Sequence, residues 1–312
     1  MAVYFLFMKT FGRGNGGSAP SAIAYRSGER IKDERTGRTY DHSGRRDVVH
    51  KEIVLPEKFD DFDMSWARDR STLWNAAEAA ESRKNARVAR EVLVALPAEM
   101  DDAQRLDLVR GFARDLVERH GFALDFAIHA PRTDTPNHHA HLLATTRELR
   151  TDGFGERTAL ETSDARRQER GLEPFFKEVI AIRERWAAAT NAGLAAAHID
   201  ARVDHRSLEA QGIDRDPLPS IPRAVIEMER RGERSVVGER LREEHRLRTA
   251  ARAQVHAAQA AAAAAELPRP AVRTDLDEIR RRARESWLEM RRRAGMDAGD
   301  ARDQGRDDDL GR

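Results

Sequence analysis

Apolar and polar positions in the first 150 residues switch between two rhythms, a strand-like alternation in short runs and a helical period between them. Strand-like runs fall at 2–9, 48–55, 88–96, 122–129 and 139–146. A helical pattern spans 65–83. Another spans 101–120, where Leu106, Val109, Phe112, Leu116 and Val117 share one face and Gly121 supplies the stop. The last two strand-like runs are separated only by a turn-rich gap, so they close as a hairpin. This order predicts an α+β fold with a mostly antiparallel central sheet flanked by helices, rather than a doubly wound parallel sheet. After Thr146 no further strand is predicted.

The remainder reads as helix. Residues 173–198 form one around Phe175, Phe176, Val179, Ile182 and Trp186. From Pro222 the chain is rich in Arg, Glu and Ala, with six alanines at 260–265, Pro268 and Pro270, and a basic helix over 274–294. The predicted organisation is a domain over 1–220, a charged helical extension over 221–296 and a disordered charged tail over 297–312. The extension reads as a solvated arm, with tracking of a nucleic-acid backbone as the alternative.

Composition narrows the chemistry. With no Cys among 312 residues, a disulfide framework, a thiol nucleophile and thiolate metal sites are excluded, which fits a reducing bacterial cytoplasm. The apolar start, Met1 to Lys9, is too short for a signal peptide or a membrane span, so no membrane insertion is expected. Net charge is only +1, although 49 of the 55 basic residues are Arg. Arg suits bidentate phosphate contacts, and a GC-rich genome explains the same excess.

The densest chemistry lies in the predicted hairpin. In a strand, His139 and His141 share a face because Ala140 points the other way. The preceding strand ends in His129, and the gap between them is rich in turn residues, which brings the third imidazole beside the pair. Three converging imidazoles suit a metal with open coordination positions, whereas a lone strand histidine is ordinarily hydrogen-bonded structure. His138 points away from its neighbour. A nucleophile for such a centre is a hydroxyl or water. The chain has three tyrosines: Tyr4 in the first strand, Tyr25 in an Ala-rich helical turn after a Gly/Ser-rich loop, and Tyr40 in a charged turn. By itself Tyr25 reads as a packing residue.

Several motifs occur in an order that resembles the MobA/MobL relaxases, the MobQ class of the HUH endonucleases. They are Ser18-Ala19 through Ala24-Tyr25-Arg26-Ser27-Gly28-Glu29, Tyr40-Asp41-His42, Val49 to Pro56, Arg90-Glu91-Val92, Ala127-Ile128-His129, Asn137 to His141, and Val203-Asp204-His205-Arg206-Ser207. The resemblance covers about residues 1–215. It implies that Tyr25 is the nucleophile, that His129, His139 and His141 hold a divalent metal, and that Glu91 orients a ligand histidine. It departs from the pattern at His138, where relatives often carry Pro or an aromatic residue.

The implied reaction is strand-specific nicking at a transfer origin through a 5′-phosphotyrosyl intermediate, followed by religation. Mn2+ or Mg2+ would be the metal, with Zn2+ as the alternative. Partners would be single-stranded DNA, accessory relaxosome proteins and a coupling protein. Arg26, Arg132 and Arg147 are candidate DNA-backbone contacts, or ordinary surface arginines. No Gly-x-x-x-x-Gly-Lys-Ser/Thr loop occurs, so unwinding by this chain is not expected. The alternatives are an HUH replication initiator or transposase, and a metal phosphodiesterase that uses water and has no need of Tyr25.

Overall fold

In the computed structural model, which describes residues 2–131, 137–266 and 276–293, the chain divides into two compact units, Met1–Ile213 and Asp214–Arg312. The first unit opens with β1 (Leu6–Gly12), α1 (Ala19–Ser27), the short hairpin β2 (Arg30–Lys32) and β3 (Thr39–Asp41), and β4 (Val48–Val54). Then come α2 (Ser65–Arg68), α3 (Arg70–Ala79), β5 (Arg87–Ala95), α4 (Asp102–His120), β6 (Leu124–His129) and β7 (His139–Ala144). A second hairpin, β8 (Arg147–Arg150) and β9 (Gly153–Arg157), leads into α5 (Asp164–Glu169) and α6 (Phe175–Ala196).

Five strands form one sheet in the order β1-β5-β7-β6-β4, every pair antiparallel. The α+β architecture is therefore the one predicted, with three local corrections. The first strand starts at Leu6 and runs on to Gly12, because the bonded register begins opposite Val94. The single helix expected over 65–83 is two, since Asp69 leaves the helical path and caps α3 by accepting from the Thr72 N–H at 2.8 Å. Strands do continue past Thr146. The β8–β9 hairpin turns at Gly153, whose φ of 145° favours glycine, and Trp66 clamps its tip by donating to the Thr151 carbonyl at 2.7 Å.

Each sheet face has its own core. On one, Leu6, Val94, Leu142, Leu124 and Phe126 meet Val109, Phe112 and Leu116 of α4 and Ile182 and Trp186 of α6. Helix α4 is delimited by the Asp101–Gln104 capping box and by Gly121 at φ 69°. On the other face, α1 and α3 cover Ala89 and Leu143 with Ile23, Leu73 and Trp74. Asp125 is fully buried there and receives Arg70 at 2.7 and 3.0 Å and Trp74 Nε1 at 3.0 Å, which pins α3 to the sheet. This cover stops part-way along the strands. Beyond it lie Phe5, Phe7, Leu93, Ala95, His139 and His141, none of them fully buried.

The second unit is helical among its described residues: α7 (Arg223–Arg230), α8 (Val236–Glu266) and α9 (Leu276–Arg293). Arg242 of α8 pairs with Glu229 of α7 at 2.6 Å. Among the described residues no helix is long and apolar enough to cross a membrane. The tail expected to be disordered, 297–312, lies outside the described residues.

Candidate active site

Antiparallel register builds the centre of the open half-face. His139 sits directly across from His129, and His141, two residues along, sits across from Ala127 on the same face. The three rings stand 4.7 to 5.2 Å apart, and their candidate ligand nitrogens lie within 4.8 Å of one another.

Each ring has one nitrogen tied to a group that can only accept. His141 Nδ1 donates to Glu91 Oε1 at 2.7 Å, His139 Nδ1 to the Asn137 carbonyl at 2.9 Å, and His129 Nε2 to the Arg26 carbonyl at 2.8 Å. The second nitrogen of each ring then carries a lone pair. Burial pushes the His129 imidazole down to about 4, and it lowers His141 despite the Glu91 carboxylate beside that ring. Both are neutral at neutral pH, the form in which imidazole binds metal. The donor set fits a divalent cation, because imidazole nitrogens bind it without adding charge and acceptors orient every ring.

Glu91 is fully buried and central to the network. Burial acts to raise its carboxyl, but the hydrogen bonds from His141 and Arg26, with the Arg26 charge, outweigh that and hold it well below the usual carboxylate range. Lys9 Nζ stands 3.0 Å from its other oxygen.

Helix α1 brings Tyr25 to this centre. Ser18 caps its start by accepting from the Ser21 N–H, and Gly28 ends it at φ 63°. The Tyr25 ring is 38% exposed, the most open of the three tyrosines. Its edge meets His42 at 5.3 Å, and the Arg45 guanidinium sits 4.2 Å from its centre. Arg45 also donates to the Tyr25 carbonyl at 2.8 Å, pairs with Asp47 at 2.5 Å, and reaches to 3.3 Å from His129 Nδ1. The hydrogen bond from Arg45, against some burial, lowers Asp47 to about 2. Two clefts of about 510 and 590 Å3 share His42, one continuing along Tyr25 to the Gly-rich loop, the other along Arg45 to Pro131.

The other tyrosines lie elsewhere. Tyr4 packs with the opposite core and donates to the Arg183 carbonyl at 3.0 Å. Tyr40 lies on β3 rather than in a turn, packed against the second core.

Of the candidate DNA contacts, one needs correction. Arg26 is buried, not on the surface: it is paired with Glu91, donates to the Ala22 carbonyl at 2.6 Å and stacks on Phe11. A desolvated carboxylate needs a cation, and the last turn of α1 delivers this one. Arg147 is partly exposed and donates to Glu81 at 2.9 Å and to the Gly155 carbonyl at 3.0 Å, holding the β8–β9 hairpin. Arg132 lies outside the described residues. Sequence reasoning also passed over Arg45 and Asp47. They sit in a charged loop whose only signal is adjacency to the Tyr40-Asp41-His42 motif.

Comparison with known proteins identifies a family and a fold. The MobA/MobL family model matches residues 17–231. The mobilization protein MobL of Acidithiobacillus ferridurans is 35% identical over 259 residues, 75% of this chain and 66% of that protein. A probable mobilization protein MobA of Bifidobacterium longum is 32% identical over 81% of this chain and 49% of its own length. Thus the chain spans half to two thirds of these two relatives. A solved structure on the molecular basis of vancomycin resistance transfer in Staphylococcus aureus superposes with a TM-score of 0.56 at 30% identity, over 66% of this chain and 100% of that one.

Proposed function

The chain belongs to the MobA/MobL family, and we propose that it nicks one strand of DNA at a transfer origin and rejoins it, using Tyr25 as the nucleophile. The observation that carries this reading is the stitching of the Tyr25 helix to the histidine cluster. The carbonyl of Arg26, the next residue along, is the hydrogen-bond partner of His129. A tyrosine and a three-imidazole centre held together in this way suit in-line phosphoryl transfer, for which a water-dependent phosphodiesterase has no need of Tyr25.

In the forward step the Tyr25 oxygen attacks the scissile phosphorus, the bond from phosphorus to the 3′ oxygen breaks, and the proton lost by Tyr25 is matched by the one gained by the leaving 3′-hydroxyl. The product is a 5′-phosphotyrosyl bond, so the phosphodiester count is conserved and the reverse step rejoins the strand. A divalent cation held by His129, His139 and His141 would offset the charge that grows on the phosphate. Mn2+ or Mg2+ is our choice for that cation, and Zn2+ satisfies the same donors. Glu91 fixes the His141 ring and Arg26 balances Glu91. Arg45 holds the face of the Tyr25 ring while Asp47 holds Arg45.

Single-stranded DNA is the proposed partner, with accessory relaxosome proteins and a coupling protein assembling around it in the bacterial cytoplasm. The test is incubation with labelled single-stranded origin DNA and Mn2+ or Mg2+, followed by a denaturing gel. A covalent adduct mapping to Tyr25 is the expected result. Nicking without an adduct would move the assignment to the water-dependent reaction.

A further inference from the structure

We infer that Phe5 and Phe7 form a stacking shelf for unpaired bases of the DNA strand entering the histidine centre. The inference rests on the nicking reading above.

The sheet register places both rings on the face that carries the metal ligands. Phe7 pairs with Leu93, which pairs with His141. One step along, the Ala95 N–H donates to the Phe5 carbonyl at 3.2 Å, and Ala95 pairs with His139. Side chains on alternate strand positions share a face, and adjacent strands lie about 4.8 Å apart, so each Phe stands two strands, about 10 Å, from a candidate ligand. The positions between are Leu93 and Ala95, both apolar and only partly buried. Two continuous rows result, Phe5-Ala95-His139 and Phe7-Leu93-His141.

Among the described residues, neither ring belongs to either of the two cores. Their neighbours Leu6 and Met8 point to the opposite face and pack with the α4 core, whereas Phe5 and Phe7 are 46% and 50% exposed. Strand β1 is at the sheet edge, where exposed flat aromatic rings invite aggregation and are ordinarily replaced by charge. Single-stranded DNA is a ligand that turns this cost to use. Bases near a nick must leave the duplex stack, every base has a π-face, and aromatic rings beside a phosphate-handling centre receive them without regard to sequence.

The experiment measures the affinity of the full chain for a fluorescent single-stranded oligonucleotide of mixed sequence, and for its duplex, by anisotropy over a range of salt. Phe5→Leu and Phe7→Leu keep apolar bulk and remove the ring face. Each is expected to weaken single-strand binding by about 5- to 150-fold while leaving duplex binding, the salt slope and metal content unchanged. Phe5→Trp and Phe7→Trp should bind at least as tightly as wild type, which covers the case where a Leu variant folds poorly. Wild-type affinity in both Leu variants, or equal losses for single strand and duplex, would overturn the shelf and leave the nicking reading standing. A wild-type protein that binds no single strand would bring down both. If the Leu variants instead abolish a concentration-dependent dimer seen by sedimentation, the shelf is a self-interface and the inference is wrong.

Discussion

The Arg45 guanidinium lies over the Tyr25 ring, 4.2 Å from its centre, while a second nitrogen of the same group stands 3.3 Å from His129 Nδ1. One cation thus spans the candidate nucleophile and a candidate ligand. Arg45→Met keeps the length of the side chain and removes the fork, so the ring loses its brace. Adduct formation in a single turnover should slow by about 10- to 100-fold with little change in DNA affinity. Arg45→Lys should recover only part of the rate, because the ammonium cannot reach three partners in one plane. A rate loss matched by an equal loss of affinity would make Arg45 a DNA contact instead.

Tyr25→Phe should retain fold, metal and DNA binding and form no adduct. Tyr4→Phe deletes the bond to the Arg183 carbonyl, at a cost of about 1 kcal/mol in stability, with adduct formation intact. Tyr40→Phe should also react. An adduct persisting in Tyr25→Phe and mapping to Tyr40 by peptide mass spectrometry would overturn the nucleophile.

Replacing His129, His139 or His141 by Ala should abolish nicking and lower metal content after reconstitution, with DNA affinity largely kept because backbone contacts dominate it. Unchanged metal content in all three single variants would show that the cation sits elsewhere.

Glu91 has two separable jobs. Glu91→Gln keeps an oxygen for His141 Nδ1 but removes the charge that balances buried Arg26. Metal affinity should fall by about 10- to 100-fold, and the unbalanced guanidinium should cost about 3 kcal/mol in urea denaturation. Adding Arg26→Met should restore most of that stability and none of the metal affinity. Recovery of both would reduce Glu91 to a stability element.

Stability should also depend on pH through a residue away from the centre. His120 closes α4 stacked on Phe122 at 5.3 Å, and burial, with the nearby Arg119 charge, pushes its imidazole down to about 4. In the unfolded chain a histidine titrates near 6.5. Above that pH neither state holds the proton. Between about 6.5 and 4 the unfolded chain takes it and the fold refuses it, so stability falls on acidification, by up to about 1.4 kcal/mol per pH unit for this group. His129 adds a similar slope in metal-free protein. Urea midpoints of metal-free His120→Gln at pH 7, 6 and 5 should show the slope reduced by one proton's share. An unaltered slope would mean that His120 titrates normally.

What could be read without coordinates was whatever local periodicity or turn chemistry encodes. The His129, His139 and His141 set follows from strand alternation and one short connection, and α4 follows from its apolar face and Gly121. Contacts between distant segments were hidden. Arg26 looks like a surface residue until Glu91, 65 positions away, is brought under it. The β8–β9 hairpin carries charged positions that mask a strand pattern, and Trp66 and Phe154, edge to face at 5.6 Å, hold it from outside. Arg45 sits in a loop with no period at all.

Arg26 serves the centre through both of its halves. Its main-chain oxygen receives His129, and its side chain balances the carboxylate that receives His141. Two of the three rings therefore lean on a residue bonded to Tyr25. Any tilt of the last turn of α1 would misalign the rings, and any rearrangement of the rings on filling with metal would be felt as a force on that turn. On the proposed reading, cation occupancy and placement of the tyrosine would then be linked in free energy. Such a linkage acts in both directions, so a strand held at Tyr25 would tighten the grip on the metal as surely as the metal steadies the strand.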